Sequence, residues 1–202
     1  MRIVAVHTLH NCGPYSRSKH WKKTRKQIHD AVRKCEWPAG SGSFTIYPES
    51  GKRTGEGNGV RPIRNGFVKD LEARGWRTEG KAKNSPGQSL GDFDAVLTGP
   101  DRPVVVEWET GNISSSHRSM NKLTMLVSDG IISAGVLVVP SRKLYRYLTD
   151  RIGNIQELEP YFPLWRSVPC SSGIVEVVVI EHDAESRDVP RIPKGTDGRS
   201  QV

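Results

Sequence analysis

Asp92 and Asp94 open, and Glu107 and Glu109 close, the segment GDFDAVLTGPDRPVVVEWETGN, residues 91–112. The turn residues Gly99-Pro100-Asp101-Arg102 divide it into two extended runs, Asp92 to Thr98 and Pro103 to Thr110. A hairpin centred on Pro100-Asp101 sets Asp94 opposite Glu107 and Asp92 opposite Glu109. Side chains alternate along a strand, so each acid pair shares a face and all four carboxylates meet in one patch. A type I turn with a bulge would shift this pairing by one residue. Like charges so close repel, and burial beside apolar neighbours makes ionisation costlier still. A divalent cation offsets both effects, because Mg²⁺ is held by one or two carboxylates together with substrate phosphate oxygens. The plainer reading has four acids facing water from a sheet edge. Against it stand Val104, Val105, Val106 and Trp108, which make the second run apolar on both faces.

The surrounding chain must hold this hairpin in place. The opening MRIVAVHTLHNC reads as a short strand, because its apolar run stops at His7. Trp21, Ile28 and Val32 form one helical stripe within residues 17–34. Residues 38–62, rich in Gly, Ser, Thr and Pro, read as a long loop with a short strand at Phe44 to Tyr47. GKRTGEG lacks both the spacing and the following apolar helix of a phosphate loop. A helix is predicted from Asn65 to Arg74 on Phe67, Val68 and Leu71, stopped by Gly75, with loop from Gly80 to Gly91. Helix at 114–128, strand at 132–139, helix at 141–152 and strand at 173–180 complete the folded part. The order predicts an α/β domain over residues 1–182, a mixed central β-sheet flanked by helices. Residues 183–202, charged and nearly free of large apolar groups, read as a mobile tail.

An Asp on one strand of a hairpin, then E-x-E closing an apolar partner strand, then a helix, resembles the PD-(D/E)XK nuclease superfamily. Asp94 matches its first acid and Glu107 its second, while Glu109 stands where most members have Lys. A Glu there is known in the BamHI-like branch. The MRIV start, NGFVKDLEARGW at 65–76 and ETGNISSSHRSMNKL at 109–123 also resemble the BglII/BstYI/BamHI group of type II restriction endonucleases. The resemblance implies a restriction-endonuclease-like fold and Mg²⁺-dependent hydrolysis of phosphodiester bonds in double-stranded DNA, at a short palindrome with a GATC core. It implies one or two Mg²⁺ ions per site, with Mn²⁺ able to substitute, and the main-chain carbonyl of Trp108 as a further ligand. A metal held by Asp94 and Glu107 would polarise phosphoryl oxygens and acidify a bound water. Glu109 then serves as base or as an extra ligand, and Asp92 is left to orient the ligands. Two strands of a palindrome require two sites related by a two-fold axis, hence a homodimer. The helix at 114–128 is expected to contribute Met120, Leu123 and Val127 to its interface. A cognate DNA methyltransferase is expected in the same system.

DNA-contact candidates are spread along the chain. Residues 17–34 carry Arg17, Lys19, Lys22, Lys23, Arg25, Lys26, Arg33 and Lys34 against the acid Asp30. This is either a solvated helix face or a phosphate contact centred on Lys22, Lys23, Arg25 and Lys26. Arg64 and Asn65 open the helix ahead of the acidic strands, where some members of the group place a polar active-site residue. Ser114, Ser115 and Ser116 read first as helix caps and second as phosphate contacts. His117 reads as a surface-helix histidine within reach of a phosphate. Arg118 and Lys122, one helical turn apart, suit a phosphate track or a polar face.

The whole chain bounds these readings. Its 202 residues suffice for one domain with its own core, and leave little room for the extra reader domain of a modification-dependent nuclease. Only 35% of residues are hydrophobic, and no run approaches a membrane-spanning helix. A net charge of +8 makes a polyanion a plausible partner. Cys12, Cys35 and Cys170 show no C-x-x-C spacing, and His7, His10 and Cys12 have no second ligand pair at finger spacing. Both facts argue against a disulfide scaffold or a cysteine zinc site, and fit a reducing cytoplasm. A nuclease with repair duties and a catalytically degenerate DNA-binding protein remain the alternatives.

Overall fold

The computed structural model describes residues 1–52, 56–80, 92–149 and 152–194. In chain order the elements are β1 (Arg2–Cys12), α1 (Lys19–Arg33), β2 (Thr45–Ile46), α2 (Arg61–Ala73), β3 (Arg77–Gly80), β4 (Phe93–Leu97) and β5 (Val104–Trp108). They continue as α3 (Ile113–Ser128), β6 (Ala134–Pro140), α4 (Arg142–Tyr145), α5 (Ile155–Leu158), α6 (Phe162–Ser167), β7 (Gly173–Glu181) and β8 (Ala184–Glu185). Among the described residues, six strands make one mixed sheet in the order β1-β7-β6-β5-β4-β3. The three central strands β5, β6 and β7 run parallel, and β1, β4 and β3 join antiparallel at the edges. The interior strands are buried on both faces, as the apolar runs VVVEW and AGVLVVP require. One face packs Trp21, Ile28, Phe67 and Leu71 of α1 and α2 against Val104, Val106 and Trp108. The other packs Met120, Leu123 and Leu126 of α3, with Phe162 and Trp165 of α6, against Val105, Leu137 and Val177. The result is a three-layer α/β arrangement.

The hairpin register is the unshifted one. Ala95 faces Val106, Val96 faces Val105 and Leu97 faces Val104. Continued one step, this pairing brings Asp94 to Glu107. Asp92 lies outside β4 and is exposed, so the fourth carboxylate does not join by strand pairing.

Elsewhere the chain departs from expectation. β1 is long because β7 offers a partner along its whole length. α2 begins at Arg61, with Pro62 in its first turn where no donor is needed, and is stopped just past its end by Gly75, whose φ of 89° favours glycine. The helix expected over 141–152 stops at Tyr145, and the backbone of Asn58 bridges to Leu148 instead. α5 and α6 fill a stretch where no element was predicted. Residues 81–91 lie outside the described residues.

The tail expected from residue 183 packs through residue 194. β8 pairs in parallel with β2, and Asp183 accepts the Phe44 N–H at 2.7 Å. Trp37 Nε1 donates to the Pro190 carbonyl at 2.7 Å, and Ile192 is 1% exposed, its N–H donating to Asn58 Oδ1. One apolar anchor and a few backbone partners suffice to order a polar segment. Ile192→Ala is therefore expected to cost about 2–4 kcal/mol. Denaturant unfolding of the variant checks this; a midpoint equal to wild type would mean that the segment does not dock. Residues 195–202 lie outside the described residues.

Candidate active site

The acidic residues sit where β4 begins and β5 ends, and α2 and α3 converge there. Val105 packs toward α3 and Val104 and Val106 toward α2, so alternation turns Glu107 to the α3 side. The Asp94 N–H lies 3.3 Å from Glu107 Oε2, and Asp94 Oδ2 accepts the Trp108 N–H at 2.6 Å. Asp94 is thus pinned across the hairpin by the backbone of the residue between the two glutamates. Its other oxygen takes the Arg64 guanidinium from α2, with Nε at 2.8 Å. Glu107 forms an ion pair with Lys122 of α3. The Lys122 ammonium also lies 3.8 Å from the centre of the Phe93 ring and 3.2 Å from the Asp92 carbonyl oxygen. Glu109 accepts a hydrogen bond from the Ser119 hydroxyl at 2.7 Å.

Electrostatics follow from burial. Glu107 is 7% exposed, and desolvation raises its carboxyl to about 7, with Asp94 adding to the rise and Lys122 opposing it. Glu109 is also raised, first by burial and then by Asp94, against the Ser119 hydrogen bond. Where sequence spacing called for a cation to offset the carboxylates, Arg64 and Lys122 carry part of that load in the free chain. Two side chains assigned to DNA contact are counter-ions of the acids. Ser119, inside the 109–123 run, is the site residue that spacing missed; its sign was a small polar side chain on the buried stripe of α3.

The other candidates fall elsewhere. α3 is capped by Asn112, whose side chain accepts the Ser115 N–H at 3.0 Å, so the serines are not the caps. Ser116 is fully buried beneath Gly153, which removes it from any phosphate; Ser114 is exposed and Ser115 half-buried. His117 stacks edge-on against Tyr161 at 4.4 Å between centroids, on the outer side of α3. Arg118 and Asn65 are exposed. The basic run of α1 stands apart from the carboxylates: His20 lies beside Gly99, at the turn end of the hairpin, about 15 Å of strand from its acidic end. Arg25 is tied to Glu176 at 2.8 Å and Lys26 to Asp30, while Lys22 and Lys23 face solvent.

A mixed sheet with an acidic hairpin between two helical layers is the framework of a restriction-type nuclease. A model of the restriction endonuclease BamHI family matches residues 1–199. The chain is 44% identical over 174 residues to the type II restriction enzyme OkrAI of Oceanobacter kriegii, covering 86% of this chain and 87% of that one. It is 34% identical over 195 residues to the type II restriction enzyme BamHI of Bacillus amyloliquefaciens, covering 92% and 86%. Among solved structures, restriction endonuclease BglII complexed with a DNA 16-mer superposes with a TM-score of 0.65 at 10% identity, over 91% of this chain and 79% of that one. Free BglII gives 0.56. The chain belongs to the BamHI family of type II restriction endonucleases. No described helix is long and apolar enough to cross a membrane.

Proposed function

We propose that this chain is a Mg²⁺-dependent homodimeric type II restriction endonuclease that hydrolyses both strands of a short palindromic site in double-stranded DNA. The observation that carries the reading is the meeting of Asp94 and Glu107 across the β4–β5 hairpin, with Glu109 two residues on. Restriction endonucleases normally use a divalent metal ion. The donor set here suits Mg²⁺: hard carboxylate oxygens on a rigid hairpin, one of them on a buried acid that Lys122 alone leaves under-compensated. Asp94, Glu107 and the Trp108 carbonyl would hold the ion, with Glu109 as a further ligand or base. When bound, the ion supplies positive charge to the scissile phosphate and acidity to the attacking water.

The chain's own groups do the rest. Arg64 and Lys122 each occupy a carboxylate oxygen in the free protein, and both are long enough to turn toward an incoming phosphate. Glu109, whose carboxyl burial raises above the usual carboxylate range, is the better proton acceptor for it. The Ser119 hydroxyl holds one of its oxygens and so sets the orientation of the carboxylate. Asp92 acts indirectly, through the backbone carbonyl that holds Lys122. The exposed Ser114, Arg118 and Asn65 flank this edge as phosphate contacts, with Ser115 and His117 behind them. The solvent-facing Lys22 and Lys23 add a diffuse attraction for DNA.

The three residues expected at the dimer interface are not exposed to form one. Met120, Leu123 and Val127 are buried against the sheet, because α3 spends its apolar stripe on the domain's own core. The outward side of α3, of α6 and of the turn just before α6 instead presents Met125, Leu164 and Tyr161, at 38%, 62% and 47% exposure. A second copy covering these side chains would set two sites about a two-fold axis. Met125→Glu with Leu164→Glu is expected to give a monomer by light scattering and to slow double-strand cleavage at least about tenfold. A dimer of unchanged mass would move the interface elsewhere.

Plasmid digestion with and without Mg²⁺ tests the whole reading. Discrete fragments that need the ion support it. A smear would favour a nuclease of other duties, and no cutting a degenerate DNA-binding protein. Sequencing the fragment ends gives the recognition site. A cognate DNA methyltransferase is the expected companion, and the cytoplasm the expected compartment.

A further inference from the structure

His10, Cys12 and Cys170 come together at the edge of the sheet. One nitrogen of His10 and the two sulfurs lie within 4.8 Å of one another, the one such trio among the described residues. Two features build this cluster. β1 and β7 slip register between Thr8 and His10, which places Leu9 as an extra residue in the strand. A bulge of this kind re-aims the side chains that follow it. Beyond it, His10 pairs with Val175 and Cys12 with Gly173, so His10 and Cys12 share a face. Cys170, in the connection from α6 to β7, completes the group from 158 positions further along the chain (170 minus 12).

The histidine is already oriented. His10 is 5% exposed, and its Nε2 lies 2.8 Å from the Trp165 carbonyl oxygen. A carbonyl only accepts, so Nε2 carries the hydrogen and Nδ1 keeps the free lone pair. An imidazole held by a backbone carbonyl through its far nitrogen is the arrangement found behind metal-ligating histidines. The two thiols are half-buried, which leaves an entry path.

We propose that His10, Cys12 and Cys170 bind one Zn²⁺ ion, with water in the fourth position, and so tie the end of β1 to the α6–β7 connection. Zinc at about 2.3 Å from sulfur and about 2.0 Å from nitrogen sets its tetrahedral ligand atoms about 3.5–3.8 Å apart. Small rotations of the two cysteines close that difference. Each thiol gives up its proton on binding, and no oxidant is needed. Two thiolates and an imidazole select Zn²⁺ over Mg²⁺, so the site does not compete for the ion of the carboxylates. Three strands, β7, β6 and β5, separate β1 from the β4 residue Asp94. The His10 partner, Trp165, also contacts His117 and donates to Asn121 of α3, so the ion would steady α6 from beneath.

Spectroscopy on the intact, reduced, metal-stripped chain decides the matter. Titration with Co²⁺ is expected to give a sulfur-to-cobalt band with tetrahedral d–d bands at one ion per chain. Zn²⁺ should bleach them and Mg²⁺ should not. Cys12→Ser and Cys170→Ser should each remove the sulfur band, while Cys35→Ser, which alters a buried thiol elsewhere, keeps it. Zn²⁺ should raise the melting temperature of wild type and of Cys35→Ser, and of neither other variant. Absence of the sulfur band in wild type overturns the proposal, as does its survival in Cys170→Ser. So does a Cys12–Cys170 disulfide that persists in reductant.

Discussion

Asp94→Asn and Glu107→Gln are each expected to yield a protein that binds DNA but no longer cuts it. One carboxylate next to a cation at about 4 Å contributes roughly 4 kcal/mol at an effective dielectric near 20. Losing it slows cleavage by about a thousandfold or more. Folding should survive, because Asn at 94 still accepts the Trp108 N–H and the apolar hairpin is untouched. Binding should survive or tighten, since Arg64 or Lys122 is released toward the phosphates. Plasmid cleavage in Mg²⁺, beside a gel shift without it, separates the two effects; full activity of either variant ends the assignment. A pH dependence accompanies this. Burial raises the Glu107 carboxyl to about 7. Below that pH a proton competes with the cation for it, so Ca²⁺ affinity should fall from pH 8 to pH 6 and change little above pH 8.

Glu109→Lys is expected to lose at least about a hundredfold in cleavage rate and not to restore the commoner E-x-K site. Glu109 accepts the Ser119 hydroxyl in a half-buried pocket beside Asp94 and Glu107. An ammonium there would stand beside the proposed cation, a repulsion of about 4 kcal/mol at 4 Å and a dielectric near 20. It would also join a region already holding Arg64 and Lys122. One pH unit is worth about 1.4 kcal/mol, so the lysine escapes part of the penalty by losing its proton. The defect should ease at high pH. Near wild-type cleavage at neutral pH would show that this carboxylate is dispensable, and would leave Asp94 and Glu107 to hold a single ion.

The hairpin was legible because its information is local: a Pro-Asp turn, alternation on either side and two acids at matched distances. The sheet was legible in its apolar runs, VVVEW and GIVEVVVI. What stayed hidden was mostly distant pairing. Nothing near Arg64 or Lys122 in sequence announces that each will lie on an acid 30 and 15 positions away (94 minus 64; 122 minus 107). Ile192 looked like one apolar residue in a polar tail, and only the groove beside Asn58 makes it an anchor. α5 is different, because Asn154 and Glu157 form a capping box with spacing plain in the sequence. Its four residues are too short to carry an apolar stripe that periodicity can reveal.

The pairing of β1 with β7 sets a timetable for synthesis. Arg2 meets Glu181 and Cys12 meets Gly173, so during synthesis β1 waits for β7, whose partner residues follow it by 161 to 179 positions (173 minus 12; 181 minus 2). At about 5–20 residues per second that wait is roughly 10–30 s. Until then β6 lacks one neighbour, α6 lacks the strand beneath it, and α1 has only half a floor. A nascent chain already carrying the acidic hairpin, and held short of β7, is therefore expected to be inert.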